Sequence, residues 1–341
     1  MRYYFYRYLQ LTLWQLIKYF LITIAVTFLL FSLLRLMPLD PTAMAQSPTA
    51  TTEDIAKLKQ YLLLDKPLLP QYGIWLRNLL HGDIGNAIQT GKPVADTLRE
   101  TLPVTAILIF MALLSAIIHG IFIALIAFLL RRKCVIIFID TINNLCISIP
   151  AFLWALLLIF FLGIYANFFP FFGLVSPGMT LDSGNTPLIN KIITSNRPEI
   201  WFNSLLHFIL PCYALSLTLI PVIVKNTFNQ LSAVFQHDYI SYAKLRGIST
   251  TRILLFHALP NALPPVIALI SVQASMLVGG TLLVENIFGL PGSGMMMLKA
   301  IATQDLPLIQ GIALCYAIAV IFIQAVTHLL LYFLTPYSRK Q

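Results

Sequence analysis

Long apolar runs broken by short polar connectors set the pattern of this chain. Such runs occupy Leu13–Leu36, Leu102–Leu130, Cys134–Phe161, Leu205–Val224, Ala262–Val284 and Leu306–Leu334. Each supplies about the 20 residues that a helix needs to cross a hydrocarbon layer roughly 30 Å thick. None alternates apolar and polar residues as a barrel strand does. Inside lipid a helix satisfies every backbone N–H and C=O within its own segment. The pattern predicts an all-α membrane protein with about six transmembrane helices.

The connectors are unequal. Residues 1–36 are expected to hold the N-terminus and first span, 37–101 a partly helical outer loop, and 102–341 a core with the other spans. In the loop, Thr52, Glu53 and Asp54 open an amphipathic stretch in which Ile55, Leu58 and Tyr61–Leu64 share a face, stopped by Pro67 and Pro70. A second short helix is expected near Gln71–Leu80, ending at His81-Gly82. Phe168–Phe172 reads as an interfacial turn, and the Gly-, Pro- and Asn-rich stretch from Gly173 to Asn203 as an exposed connection. Asp140 is expected to lie at an interface beside Arg131, Arg132 or Lys133. His119 reads as a satisfied packing residue.

Composition narrows the class. The 341 residues are 58% hydrophobic and 10% charged, with mean hydropathy +0.83, too few charges to clothe a soluble domain of this length. The net charge of +9 is a matter of topology. Twelve of the 22 basic residues fall in four short segments (residues 2–18, 131–133, 225–252 and 339–340), with Asp238 the clear acid among them. The other side carries ten basic residues and eleven of the 13 acids, so its charge nearly cancels. The positive-inside rule then puts both termini and the 225–260 segment in the cytoplasm, and nucleic-acid binding is not needed to explain the charge. Arg2, Arg7 and Lys18 followed by an apolar run also resemble a signal peptide, but the run is too long and lies too far from Ala43-Met44-Ala45, so an uncleaved first helix is expected. Cys134, Cys146, Cys212 and Cys315 read as small buried hydrophobes, with no metal-ligand spacing among them.

The segment from Asp238 onward carries the functional argument. Asp238 can cap a helix through Arg246, and Gly247 can close it in the left-handed conformation. Ser249 or Thr250 can cap a second helix from about Thr251 to Leu259, with Pro260, Pro264 and Pro265 marking a return into the membrane. Tyr239, Tyr242, Ala243 and Arg246 lie close to one face of the first helix, a small-and-aromatic surface beside a cation that suits docking into a groove. A solvated connecting loop is the plain alternative.

The same segment resembles the signature cytoplasmic loop of binding-protein-dependent ABC transporter permeases, in their dipeptide/oligopeptide/nickel branch. Asp238-Tyr239, Ala243, Gly247, His257-Ala258, Asn261-Ala262 and Pro265 fall in step with it, with Arg246 where a lysine is common. Asp40-Pro41, His81-Gly82-Asp83-Ile84-Gly85, Ser148-Ile149-Pro150, the run Glu285 to Gly294 and the run Asp305 to Gly311 match further blocks in order. The closing Leu334-Thr335-Pro336 lacks the acid usual in that branch.

The resemblance implies a type I ABC importer bundle in the bacterial inner membrane. It implies no catalytic residues, cofactor or metal site in this chain. The expected partners are ABC ATPase subunits, a second permease subunit, an extracytoplasmic substrate-binding protein and the lipid bilayer. Asp238, Tyr239, Tyr242, Ala243, Arg246 and Gly247 would form the ATPase-docking loop. Glu285, Gly289, Pro291, Gly292 and Gly294 are the candidates for a gate loop on the outer side, although for Glu285, as for Asp40, His81 and Asp83, structural hydrogen bonding is an adequate role. Small peptides are the expected substrate, with nickel or a metal chelate as the alternative. A self-sufficient secondary transporter or channel, the reading of another class, calls for repeated polar residues inside the spans or a two-fold repeat, and neither is evident.

Overall fold

A computed structural model describes residues 2–36, 66–179, 189, 191–192 and 197–334, with side chains from Ile17 onward and without that of Tyr19. The elements are α1 (Arg2–Leu36), α2 (Leu68–Leu80), α3 (Val94–Leu130), α4 (Lys133–Ser148), α5 (Ala151–Tyr165), α6 (Pro198–Val234), α7 (Asp238–Leu245), α8 (Thr250–Ile287), α9 (Ser293–Ala302) and α10 (Leu306–Leu334). Among the described residues the regular secondary structure is all helix, apart from one isolated bridge between Asn86 and Pro93. All six apolar runs fall on helices. Helices α3, α6, α8 and α10 are each long and apolar enough to span, while the apolar part of α1, Phe20–Leu36, is shorter. The expected amphipathic stretch at 52–64 and Asp40 lie outside the described residues.

The third run departs from the expectation of one straight span. It breaks into α4 and α5, which meet at 101°. Pro150 has no N–H to give and forces the residue before it out of helical geometry; Ile149 is extended, with φ −97° and ψ 119°. The Trp154 indole N–H donates to Cys146 O at 3.2 Å, satisfying a carbonyl left open at the end of α4. Other prolines are absorbed. Pro103, Pro211, Pro221, Pro264 and Pro265 sit inside continuous helices. A wider turn at Leu254–Ala258 takes up the missing donor and bulk of Pro260. The helix expected to end near Leu259 therefore continues to Ile287. Pro70, expected as a stop, instead sits in the first turn of α2, where a proline removes only an N–H that would have no partner.

The chain divides into two compact units, Met1–Leu102 with Met296–Ile321, and Pro103–Met295 with Phe322–Gln341. In the first, Phe28 and Phe31 of α1 pack on Tyr72 and Trp75 of α2 at ring distances of 5.1–5.6 Å, and Tyr72 stacks on Trp75 at 5.9 Å. Thr27 Oγ1 and Tyr72 OH join them by a hydrogen bond of 3.0 Å. A neighbouring cluster gathers Val94 and Leu98 with Leu308, Ile309 and Ile312.

In the second unit α6 is central. Of its most apolar stretch 72% is buried, against 28% for α3 and 33% for α8, which therefore keep broad faces free for lipid or other subunits. Helix α3 meets α6 through a stripe of small residues, Ala112, Ala116, Gly120 and Ala124, all buried. A Cβ on Gly120 would stand 2.7 Å from Ile223 Cγ2, so the two backbones come close only because that position is glycine. Ser271 and Ser275 of α8 bond to Gln324 of α10, each at 3.2 Å, a polar clamp within an otherwise apolar region.

Candidate functional site

Two sites flank α8 within the second unit. At its start, α6 ends at Val234 and the chain turns through His237 into α7. Asp238 lies in the first turn of α7 and makes no side-chain cap; His237 holds the cap position, which corrects the expected role of Asp238. The other end closes as expected. Gly247, at φ +75°, donates to Lys244 O at 2.9 Å, and Ile248 donates to Ala243 O at 3.2 Å, a Schellman closure.

Beneath α7, Phe128, Leu231, Ile240, Ile253 and Leu254 form a buried cluster. Phe128 and Phe235 pack at 4.6 Å, the Arg131 guanidinium lies 4.2 Å over Phe128, and Lys244 Nζ lies 5.4 Å over Phe235. Asn261 of α8 donates to Tyr239 OH at 3.1 Å and to His257 O at 2.7 Å. The helix is thus fixed from below and from its side.

Above this support Tyr239, Tyr242 (66% exposed), Arg246 and Gly247 face outward. Ala243 does not share that exposure: it is half-buried against the cluster around Ile240. Leu245, 84% exposed, belongs to the outward surface, and Phe256 of α8 is similarly exposed at 72%. Sequence reasoning missed both. The signal was there for Leu245, which stands three residues after Tyr242 and so shares its side of the helix. Arg131 engages aromatic rings rather than Asp140, which has no ion pair among the described residues and lines a small cavity with Lys225 and Asn229.

At the far end of α8 the other candidates come together. Gly289, φ +63°, and Leu290 close the helix by donating to Asn286 O at 3.2 Å and Glu285 O at 2.9 Å. Pro291 and Gly292 then turn the chain into α9. Glu285 is fully buried, and its Oε2 accepts the N–H groups of Gly294 (2.8 Å) and Met295 (3.1 Å). A carboxylate there answers both the open donors and the dipole at the start of α9. Thr105 Oγ1 of α3 accepts from Ser293 N and pairs with Ser293 Oγ, both at 2.8 Å. A Cβ on Gly292 would collide with Glu285 Oε2 and stand 2.8 Å from Thr105 Oγ1; one on Gly289 would strike the Phe172 ring. Thr105, Ser293 and Phe172 were not singled out from the sequence, because their partners lie far away along the chain.

The remaining polar residues serve structure. Asp83 Oδ1 accepts Gly85 N at 2.8 Å, and the His81 ring bonds Arg77 O at 2.8 Å. His119 bonds Ser115 O at 2.8 Å and packs on Tyr213. Met296 and Met297 pack in an apolar cluster, and no group of three metal-ligating side chains occurs among the described residues.

Residues 116–340 match the family described as "Binding-protein-dependent transport system inner membrane component", and residues 6–109 match its N-terminal companion, "Binding-prot-dependent transport system membrane comp, N-term". The chain is 31% identical over 328 residues to the Dipeptide transport system permease protein DppB of Escherichia coli (strain K12), covering 93% of this chain and 95% of that one. It is 29% identical over 324 residues to a second protein of that strain, provisionally named the D,D-dipeptide transport system permease protein DdpB, covering 93% of each. A Brucella suis (biovar 1, strain 1330) chain provisionally named a peptide transport system permease protein is 31% identical over 290 residues, 85% of this chain and 86% of that one.

Proposed function

This chain belongs to the family of inner membrane components of binding-protein-dependent transport systems, and from that membership we propose that it is one permease subunit of an ATP-driven importer of small peptides. It is a multi-pass component of the bacterial inner membrane and a transport component rather than an enzyme. The observation that carries the peptide reading is the likeness to the dipeptide permease DppB, which runs along nearly the full length of both chains.

In this reading both termini and α7 face the cytoplasm. The outward surface of Tyr239, Tyr242, Leu245 and Arg246 seats in a groove of a separate ATPase. ATP-driven closure of the ATPase pair carries α7 with it, and α8, continuous from Thr250 to Ile287, transmits that displacement toward the turn held by Glu285. The turn acts as a gate on a pathway shared with a second permease, and a binding protein delivers the peptide to it.

The test is mass spectrometry of what co-purifies with the intact chain in mild detergent, beside an Arg246→Glu variant. The wild type is expected to retain an ATPase and a second permease, and the variant to lose the ATPase alone. A folded, well-extracted wild type that retains no ATPase overturns the reading.

A further inference from the structure

From a cavity in the first compact unit we infer a binding site for the headgroup of an aminophospholipid, in which a phosphate and a primary ammonium are held together. The cavity has a volume of about 120 Å³ and is lined by Arg35, Gln71, Trp75, Asp83 and Gln310, among others. Gln71 and Gln310 are 6% and 7% exposed, and Gln71 Oε1, Trp75 Nε1 and Gln310 Nε2, on three of the lining residues, are buried without a hydrogen-bond partner. Buried amide and indole groups are costly when unmatched, so three on residues that line one cavity call for a ligand or water that completes them. Gln71 Nε2 is committed to Lys66 O at 2.6 Å, which leaves its oxygen as the open acceptor.

The chemistry of the lining has two signs. Trp75, Gln310 and Arg35 bring N–H donors to the lining, a setting for an oxyanion. Gln71 Oε1 and the Asp83 carboxylate offer acceptors, a setting for an ammonium. A ligand with both charges meets both sets.

Place and size favour a lipid headgroup over a free solute. Arg35 is the charged residue at the end of the apolar stretch Phe20–Leu36, whose Phe20, Leu29, Leu33 and Leu36 are exposed. That puts the cavity at the border between hydrocarbon and water, where tryptophan and arginine side chains anchor. On the neighbouring α2, Leu69 and Leu80 are 70% and 79% exposed, as suits a helix beside acyl chains. The volume exceeds what a single water needs, about 10–15 Å³. It falls short of the roughly 300 Å³ at which small-molecule pockets begin. A headgroup fits within it while the tails stay in the bilayer.

The test uses the full chain in mixed-lipid nanodiscs. Native mass spectrometry would compare phosphatidylethanolamine, phosphatidylglycerol and phosphatidylcholine with the same acyl chains. Phosphatidylethanolamine is expected as a one-to-one adduct, retained about tenfold over the other two, one lacking the cation and the other lacking N–H donors on it. Gln310→Leu, which removes a donor to the phosphate common to all three lipids, is expected to lower the retention of all three. Asp83→Asn, an exposed and foldable change, should shrink the advantage over phosphatidylglycerol alone. Equal retention of the three lipids overturns the inference. So does an advantage over phosphatidylglycerol that survives Asp83→Asn, retention that survives Gln310→Leu, or displacement of the adduct by a free dipeptide, which would make the cavity a solute site.

Discussion

The two ends of α8 solve opposite problems with the same residue types. At the α7 end the contact side chains point outward: Tyr242 is 66% and Leu245 84% exposed, and the support beneath them is apolar. At the α9 end every polar group that matters is inside: Glu285 and Ser293 are fully buried and Thr105 is 3% exposed. A surface built to meet a partner keeps its contact atoms free and its foundation sealed. A turn that must hold its own shape places a carboxylate where open N–H groups gather. Even the glycines differ in purpose. Gly247 is needed for its positive φ and has open space around it, whereas Gly292 is needed because Glu285 and Thr105 fill the space a side chain would take.

The largest effect is expected at the sealed end. Glu285→Ala removes the acceptor of two buried N–H groups and leaves a cavity. It should cost about 2–4 kcal/mol. Thermal unfolding in detergent, followed by tryptophan fluorescence, should show a clear drop in Tm, with Glu285→Gln intermediate because one oxygen remains. A Tm unchanged in both variants would mean the turn is held by something other than this carboxylate. Gly292→Ala comes next, at about 1–3 kcal/mol from overpacking. Gly247→Ala should cost only about 1–2 kcal/mol, through backbone strain alone. Equal costs would break the distinction between space and conformation.

At the open end the expected effects change character. Leu245→Glu should leave stability within about 0.5 kcal/mol of wild type, because the side chain touches little of its own chain. Co-purification of the ATPase should nevertheless fall sharply. A variant that loses stability and keeps its ATPase would show that Leu245 serves the fold.

This contrast also explains what could be read from the sequence. The long apolar helices were legible because lipid imposes one long apolar signal on each. The closure at Gly247 was legible because only nearby residues take part. The 101° break between α4 and α5 lay in plain view at Ile149-Pro150, but a proline within an apolar run has two outcomes, and Pro211 and Pro221 show the other. Ala243 was placed with the docking face because helical spacing alone does not say where a face ends; its contact with the cluster around Ile240 decides that. The partnership of Thr105 with Ser293 spans 188 residues and has no local signature. The Ala112–Ala124 stripe was hidden differently, since alanine and glycine are ordinary in an apolar run until the position of α6 is known.

Between the two ends lies the smallest expected effect, and it tests whether they act through one rod. Helix α8 has 38 residues, roughly 55 Å of rise, with a wide turn near its start and Gly279-Gly280 in its second half. Ser271 and Ser275 tie its middle to Gln324 at 3.2 Å each. Gln324→Leu removes that tie while keeping the volume near constant. Interhelical hydrogen bonds of this kind contribute about 0.6 kcal/mol on average, so the melting point should barely move. Hydrogen exchange is the sharper measurement. If each end is held by its own local contacts, amides around residues 268–278 should exchange faster while those near Gly247 and Gly292 stay as protected as in wild type. Faster exchange at both ends as well would mean that the central clamp, rather than the local cluster under α7 and the carboxylate beneath α9, is what keeps each end in place.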